Sequence, residues 1–147
     1  ISTDDRKSFI NRIEQQIGEK EFGEYILMIL DRYDHIEKAT FLSKIFYAYV
    51  MNEISTDEFF RISSSIDKAY LEDLHNLLDY YSSDIKNKRS IYDKTKRNLF
   101  SANFSDFYVL TQDEQYSGGL EHPQIYHFNP LAKSFAKIIL KNKFRQQ

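Results

Sequence analysis

Cysteine and tryptophan are missing from this 147-residue chain, and glycine and proline are scarce, at four and two residues. The lack of cysteine excludes disulfide bonds, thiolate catalysis and cysteine-ligated zinc sites. It also fits a reducing cytoplasm, which is the location we expect. So few turn-forming residues favour long helices with short connections over a strand-rich fold. Long apolar runs are absent as well: the longest, from Tyr25 to Leu30, is far too short to span a bilayer.

The composition that remains is that of one globular domain. Hydrophobic residues make up 41% of the chain and charged residues 29%, a balance typical of folded, water-soluble domains. The length is sufficient to bury a hydrophobic core without covalent cross-links. We therefore predict a single domain over residues 1–147, in which N-terminal helices in 1–53 pack on a C-terminal part, 55–147.

Charge is distributed unevenly along the chain, although its net value is only −2. Residues 1–85 carry 9 Lys or Arg and 17 Asp or Glu, a formal charge of −8, whereas residues 86–147 carry 11 and 5, a formal charge of +6. Two interpretations are open. The opposite charges either attract each other or solvate helix faces within one fold, or the basic part faces an acidic partner.

Apolar residues recur at helical spacing through most of the sequence. The spacing predicts helices over about 4–17, 22–33, 34–50, 55–68, 70–81 and 90–101, and a last helix from Pro130. Three N-terminal cap signals support these limits: Asp34 with Glu37, Ser55 with Glu58, and Asn129 with Pro130. The helix over 34–50 has the broadest apolar face, which includes Tyr47, so we expect it to be central.

After Phe104 the pattern changes from helical to extended. Residues 106–111 and 124–128 are rich in aromatic and β-branched side chains and are separated by a polar loop that contains Ser117, Gly118 and Gly119. They predict a small C-terminal β-hairpin. The predicted fold class is therefore mainly α, a multi-helix domain with a C-terminal hairpin.

The element order from Ser55 to Phe128 resembles that of a winged helix, with three helices followed by a strand, a loop and a second strand. The resemblance covers about half of the chain and implies that the helix over 90–101 is in the recognition position. Four polar residues lie opposite its apolar side and are the candidate nucleic-acid-binding residues: Lys94, Arg97, Asn98 and Ser101. The loop 112–121 would act as the wing, although it contains Asp113 and Glu114.

No pattern in the sequence is typical of a catalytic, metal or cofactor site. Asp31, Asp34 and His35 have a spacing that would bring them together on one continuous helix, but Asp34 is the predicted cap at a helix junction. Paired carboxylates such as Asp57 and Glu58 occupy first-turn positions, where they favour the helix dipole. We therefore expect no metal, no cofactor and no enzymatic activity.

Three kinds of partner remain open. The first hypothesis is a non-enzymatic interaction domain that binds a protein partner or itself, for example as a homodimer. The alternative is a winged-helix DNA-binding domain that uses the basic C-terminal part. A third is contact between an anionic membrane surface and the last helix, where Lys133, Lys137 and Lys141 recur at i+4 spacing.

Overall fold

A computed structural model describes Asp4 and residues 19–82, 88–109 and 124–145. In those residues the chain is mainly helical, with a two-stranded antiparallel hairpin after the first five helices. The helices are α1 (Glu19–Arg32), α2 (Ile36–Val50), α3 (Thr56–Lys68), α4 (Leu71–Ser82), α5 (Arg89–Asn98) and α6 (Pro130–Leu140). The strands are β1 (Ser105–Val109) and β2 (Gln124–Phe128), and a short 3-10 helix, Lys141–Lys143, follows α6. The predicted fold class is confirmed; the predicted helix over 4–17 and the loop 112–121 lie outside the described residues, apart from Asp4.

Two of the three predicted caps are present. The Ser55 hydroxyl accepts a hydrogen bond from the Glu58 backbone N–H, and the Glu58 carboxylate accepts one from the Ser55 N–H, which completes a capping box at the start of α3. The Asn129 side chain accepts a hydrogen bond from the Ala132 N–H at 2.9 Å, with Pro130 in the first turn of α6. Both helices therefore begin where the sequence predicted.

The prediction that Asp34 caps the next helix is wrong. The N-cap of α2 is His35, whose side chain makes no capping hydrogen bond. The Asp34 carboxylate instead pairs with the Lys38 ammonium at 2.8 Å, and this hydrogen bond lowers the pKa of Asp34. A charged partner one helical turn away thus replaces the backbone N–H groups that a cap would bind.

One hydrophobic cluster joins helices α1, α2, α3, α4 and α6 and the turn after α5. It contains Ile45, Tyr49, Phe59, Leu77 and Phe135, each 0% exposed. Helix α2 contributes the most buried residues of the described helices and packs against α3 and α6, whereas α6 packs against α2, α3, α4 and β2. The central place predicted for α2 is therefore shared with α6. The inclusion of Tyr47 in the buried face of α2 is wrong: this ring is 39% exposed, since it lies at the edge of the face.

Helix α1 and the residue that follows it pack on α3 through two tyrosines. The Tyr25 ring meets the edge of the Phe60 ring with centroids 4.7 Å apart, and the Tyr33 hydroxyl donates to the Ser63 carbonyl at 3.1 Å. A tyrosine suits such a contact because its ring packs against apolar side chains while its hydroxyl donates to a polar group. The opposite side of α1 therefore faces away from α3.

From α3 onward the order of elements is that of a winged helix, as the sequence predicted. In the hairpin, Ser105 pairs with Phe128, Phe107 with Tyr126 and Val109 with Gln124. Phe107 and Tyr126 consequently lie on the same face. None of the described helices combines the length and apolar composition that a membrane span requires.

Candidate functional site

Helix α5 and the hairpin are joined by a tight turn that sets their relative position. The helix ends at Asn98, and the N–H of Phe104 then bonds back to the Leu99 carbonyl at 3.1 Å. Asn103 has a φ of 63°, in the left-handed region that asparagine tolerates better than most residues. The predicted helix over 90–101 is therefore too long, because the chain reverses at this turn. Ser101 lies in the turn and not on the helix.

Asn129 fixes this turn from the far end of the hairpin. Its backbone N–H donates to the Phe104 carbonyl at 3.0 Å, and its side-chain amide donates to the Asn103 carbonyl at 2.7 Å. The same side chain caps α6 through Ala132. One residue thus connects the end of α5, the base of the hairpin and the start of α6.

Helix α5 is also held on α4 by a polar contact at its first turn. The Tyr92 hydroxyl donates to the Asp79 carboxylate, and the Lys88 ammonium contacts the same carboxylate at 3.0 Å. The hydrogen bond to Asp79 raises the pKa of Lys88. Tyr92 itself is 1% exposed, so this contact fixes which side of α5 packs against the rest of the domain.

A groove separates α5 from β2. We use the name α5–hairpin groove for this cavity together with an adjoining depression that shares four of its lining residues. The cavity has a volume of about 560 Å³ and is lined by α5, including Tyr92, by β2 and by Tyr80 of α4. Its other lining residues, together with those of the adjoining depression, are Arg89, Asp93, Lys96, Arg97, Ile125, Tyr126 and His127. Three of the side chains from α5 are cationic and one is a carboxylate.

Lys96 has a defined place in this groove. Its ammonium lies 4.6 Å from the centroid of the Tyr80 ring and 5.6 Å from that of Phe128. An ammonium over an aromatic face is attracted by the ring's quadrupole. The Tyr80 ring in turn contacts Tyr92 and Phe128 edge-on, at 5.3 and 5.0 Å. The positive charge is therefore held over a packed aromatic floor.

Three aromatic rings lie at the edge of the groove, next to solvent. This aromatic cluster consists of Phe100 in the turn, Phe107 on β1 and Tyr126 on β2, with centroids 5.0 to 5.7 Å apart. Phe100 and Phe107 are 41% and 45% exposed. Because Tyr126 belongs to both features, the cationic groove and the exposed rings form one continuous surface.

The structure divides the predicted nucleic-acid-binding residues between different places. Lys94, Arg97, Asn98 and Ser101 are all exposed, but of the four only Arg97 lines the groove. The Asn98 amide donates to the Asp73 carboxylate on α4 at 3.3 Å, and the Ser101 hydroxyl donates to the Asn98 carbonyl. Of the four, Ser101 therefore lies off α5, and the Asn98 side chain is engaged with α4.

Asp73 lies beneath this side of α5 and is 7% exposed. Burial raises the pKa of its carboxyl, and the charge of Glu72 raises it further, whereas the Asn98 hydrogen bond and the charge of Lys94 lower it. Lys94 and Asn98 therefore both interact with a buried carboxyl of the same chain, so this side of α5 is partly engaged with α4.

Sequence reasoning missed Arg89, Lys96, Tyr126 and Tyr80 as members of one site. Arg89 falls in a segment that resembles a linker, and Lys96 lies beside the apolar side of α5 and not opposite it. The available signal is the spacing of Arg89, Asp93, Lys96 and Arg97, which places them on one side of a helix. That spacing alone does not reveal that β2 packs beside it.

The lysines of the last helix are also divided. Lys133 and Lys137 are exposed on α6, whereas Lys141 is in the 3-10 helix with a φ of 49°. Lys137 and Lys141 line a second groove with Glu53 and Glu58. Part of this positive charge thus faces carboxylates of the same molecule.

Metal-binding side chains do not cluster in the part of the chain that the structure describes: no three His, Asp or Glu residues come together there. In comparisons with known proteins, no family model matched the chain, and no similar chain was found among curated proteins or solved structures. The arrangement of side chains is consequently the basis for assigning a function.

Proposed function

We propose that this chain is a non-enzymatic protein-interaction domain that binds an acidic, partly apolar segment of a protein in the α5–hairpin groove. The observation that carries the proposal is the continuity of the groove with the aromatic cluster. Cationic side chains line the first, and exposed rings form the second. A partner that contacts both needs carboxylates as well as apolar side chains.

The positive charge of the groove is available to a partner. Arg89 and Arg97 are exposed, and they flank Asp93 at one-turn spacing on α5. Among the described residues, the ion pair between Lys88 and Asp79 is the one that joins the basic part to residues 1–85. Most of the described cations in residues 86–147 therefore make no ion pair with the described acidic part, which favours an acidic ligand.

The composition of the surface is typical of a protein-binding site. Aromatic residues and arginine are enriched at the centres of interfaces, because they bury a large area and retain a polar group. Phe100, Phe107 and Tyr126 supply the rings, and Arg97 lines the groove beside Tyr126. A binding role needs no further chemistry from these residues.

The non-enzymatic part of the proposal rests on the kind of group in the groove. Asp93 is the one carboxylate among its described lining residues, and glycoside hydrolysis, for example, uses two. No recognised nucleophile motif occurs in the sequence. The cationic side chains and aromatic rings of the groove are suited to bind an acidic, partly apolar ligand.

A labelled peptide tests the proposal directly. We expect a fluorescein-labelled amphipathic peptide of Glu, Ala and Leu to bind the native chain in fluorescence anisotropy. The same peptide with Gln in place of Glu should bind at least about tenfold more weakly, because the cationic groove then lacks its counter-charge. An Arg89→Glu, Arg97→Glu variant should lose affinity for the Glu peptide to a similar extent.

Matched controls separate a local effect from net charge. A Lys133→Glu, Lys143→Glu variant changes the charge by the same amount at exposed positions away from the groove and should bind the Glu peptide as the native chain does. Circular dichroism establishes that both variants fold. Equal binding of the Glu and Gln peptides, or equal losses in the two variants, would disprove the proposal.

Binding of duplex DNA is the second candidate, favoured by the exposed cations on a helix in the recognition position. If DNA is the ligand, mixed-sequence duplex should bind the native chain with an affinity that decreases as salt increases. A Lys94→Ala, Arg97→Ala variant should then bind duplex less tightly. Duplex binding that is absent at low salt, or that these substitutions leave unchanged, excludes the nucleic-acid site.

A further inference from the structure

We infer that the groove of one molecule takes the outer face of helix α1 of a second copy of this chain. We define the α1 outer face as Glu24, Leu27, Met28 and Asp31. The inference rests on the proposed function, since it names the partner of the same groove. Its basis is the match in charge and apolarity between two surfaces of the described chain.

The four residues of the α1 outer face lie on one side of the helix. Leu27, Met28 and Asp31 follow Glu24 by three, four and seven residues, which brings the four to the same side. The buried Ile29 and the partly buried Tyr25 and Tyr33 are on the opposite side, against α3. The outer face is therefore directed away from its own core.

Large apolar side chains on this face are left in contact with water. Leu27 is 68% exposed and Met28 is 48% exposed, and the carboxylates Glu24 and Asp31 flank them on exposed positions. Exposed apolar side chains bordered by charge are typical of binding surfaces. The α1 outer face thus has the acidic and apolar character that we propose for the ligand of the groove.

The complementarity extends to both kinds of contact. Arg89 and Arg97 supply positive charge where Glu24 and Asp31 supply negative charge, and the aromatic cluster offers an apolar surface to Leu27 and Met28. Like charges at either surface would oppose the pairing of two grooves or of two α1 outer faces. A contact between a groove and an α1 outer face is consequently favoured over a contact between two grooves or between two α1 outer faces.

Contact between two different surfaces has a consequence for assembly. Each molecule presents one groove and one α1 outer face, so two copies that bind each other reciprocally form a closed dimer, whereas copies that bind one neighbour at each surface continue head to tail until a larger ring closes. In both cases we expect the mean mass of the native chain to increase with concentration from that of a monomer to at least that of a dimer.

Reciprocal charge reversal tests this contact by sedimentation velocity. A groove variant, Arg89→Glu with Arg97→Glu, and an α1 variant, Glu24→Lys with Asp31→Lys, should each associate at least about tenfold more weakly than the native chain. An equimolar mixture of the two should associate again, because every contact then joins opposite charges. A Glu53→Lys, Glu72→Lys variant, changed at exposed positions outside both surfaces, should associate as the native chain does.

The possible failures of this experiment have different meanings. A native chain that stays monomeric at all concentrations, yet binds the Glu peptide, overturns self-association and leaves the proposed function standing. A native chain that neither self-associates nor binds the Glu peptide overturns both the self-association and the proposed function. Association that only the groove variant loses, or that the mixture does not restore, overturns the α1 outer face as the partner.

Discussion

Lys38 is the side chain whose environment differs most from that expected of its residue type. It is 1% exposed, although lysine is almost never fully buried without partners. Its ammonium donates to the carbonyls of Ala69 at 2.6 Å and Asp67 at 3.3 Å, and it pairs with Asp34. A cation from α2 thus satisfies carbonyls at the C-terminal end of α3, where the helix dipole favours positive charge.

Replacing Lys38 with Met tests this capping role. The substitution retains most of the buried volume but leaves the carbonyls of Asp67 and Ala69 without their charged donor. We expect the free energy of unfolding to decrease by about 2 kcal/mol, as for a hydrogen bond to a charged group. Urea denaturation followed by circular dichroism measures the change. Lys44→Met, at an exposed position on the same helix, should have little effect; equal losses would contradict the argument.

Asp73 leads to a prediction about pH. Because burial raises its pKa in the folded chain, the folded state holds a proton on this group more firmly than the unfolded state does. This group's contribution to stability therefore decreases as pH rises above the unfolded-state pKa of about 3.9. Asp73→Asn abolishes the titration and keeps an oxygen that can accept from Asn98.

We expect Asp73→Asn to gain stability relative to the native chain as the pH rises from about 4 to about 7. Urea unfolding at a series of pH values measures the difference. Asp106→Asn, at an exposed position on β1 that is not among the groups shifting the pKa of Asp73, is the control and should show a smaller dependence. A difference between Asp73→Asn and the native chain that does not vary with pH would refute the prediction.

At the scale of the elements, α3 and α6 both begin with a side-chain N-cap, but the two caps differ in what else they bind. Ser55 bonds only within the first turn of its own helix, whereas Asn129 also holds the turn between α5 and the hairpin through Asn103. Loss of either cap removes a backbone partner at a helix start. Only the loss of Asn129 also releases the turn that carries Phe100.

The two substitutions should therefore differ in their effect on binding. We expect Ser55→Ala to cost about 1 kcal/mol and Asn129→Ala up to about 2 kcal/mol of unfolding free energy. Only Asn129→Ala should also weaken binding of the Glu peptide, because Phe100 then loses its fixed position beside Tyr126. Urea denaturation and anisotropy measure the two effects. Equal peptide affinities in both variants would show that the turn does not position the site.

The same elements show how far the sequence was informative. Helices α3 and α6 were predicted because caps and apolar periodicity are local signals, and the limits of β2 followed from its aromatic residues. The end of α5 was misplaced because helical spacing continues to Ser101, while the turn depends on bonds from the distant Asn129. The groove was missed for the same reason: Lys96 meets Tyr80 and Phe128 only after α4 and β2 have packed beside α5.

For the molecule as a whole, the division into an acidic and a basic part is the feature that the fold must accommodate. Most of the described ion pairs lie within the acidic part, such as Arg32 with Asp67 at 2.9 Å and Arg61 with Asp57 at 2.6 Å. Lys88 with Asp79 joins the two parts. Within the described ranges, close ion pairs therefore neutralise little of the opposite charge of the two parts, and exposed cations such as Arg89 and Arg97 can attract a second molecule.

Salt should therefore affect association more than folding. Raising sodium chloride from about 50 mM to about 500 mM shortens the screening length several-fold and weakens attraction between exposed charges. Exposed ion pairs each contribute little to stability, so we expect the melting temperature of a dilute sample to change only slightly. At high concentration the mean sedimentation coefficient should decrease clearly over the same range, because the interface between Arg89, Arg97 and the α1 outer face is charged. A large decrease in melting temperature with unchanged sedimentation would mean that the opposite charges stabilise the single molecule and do not join two.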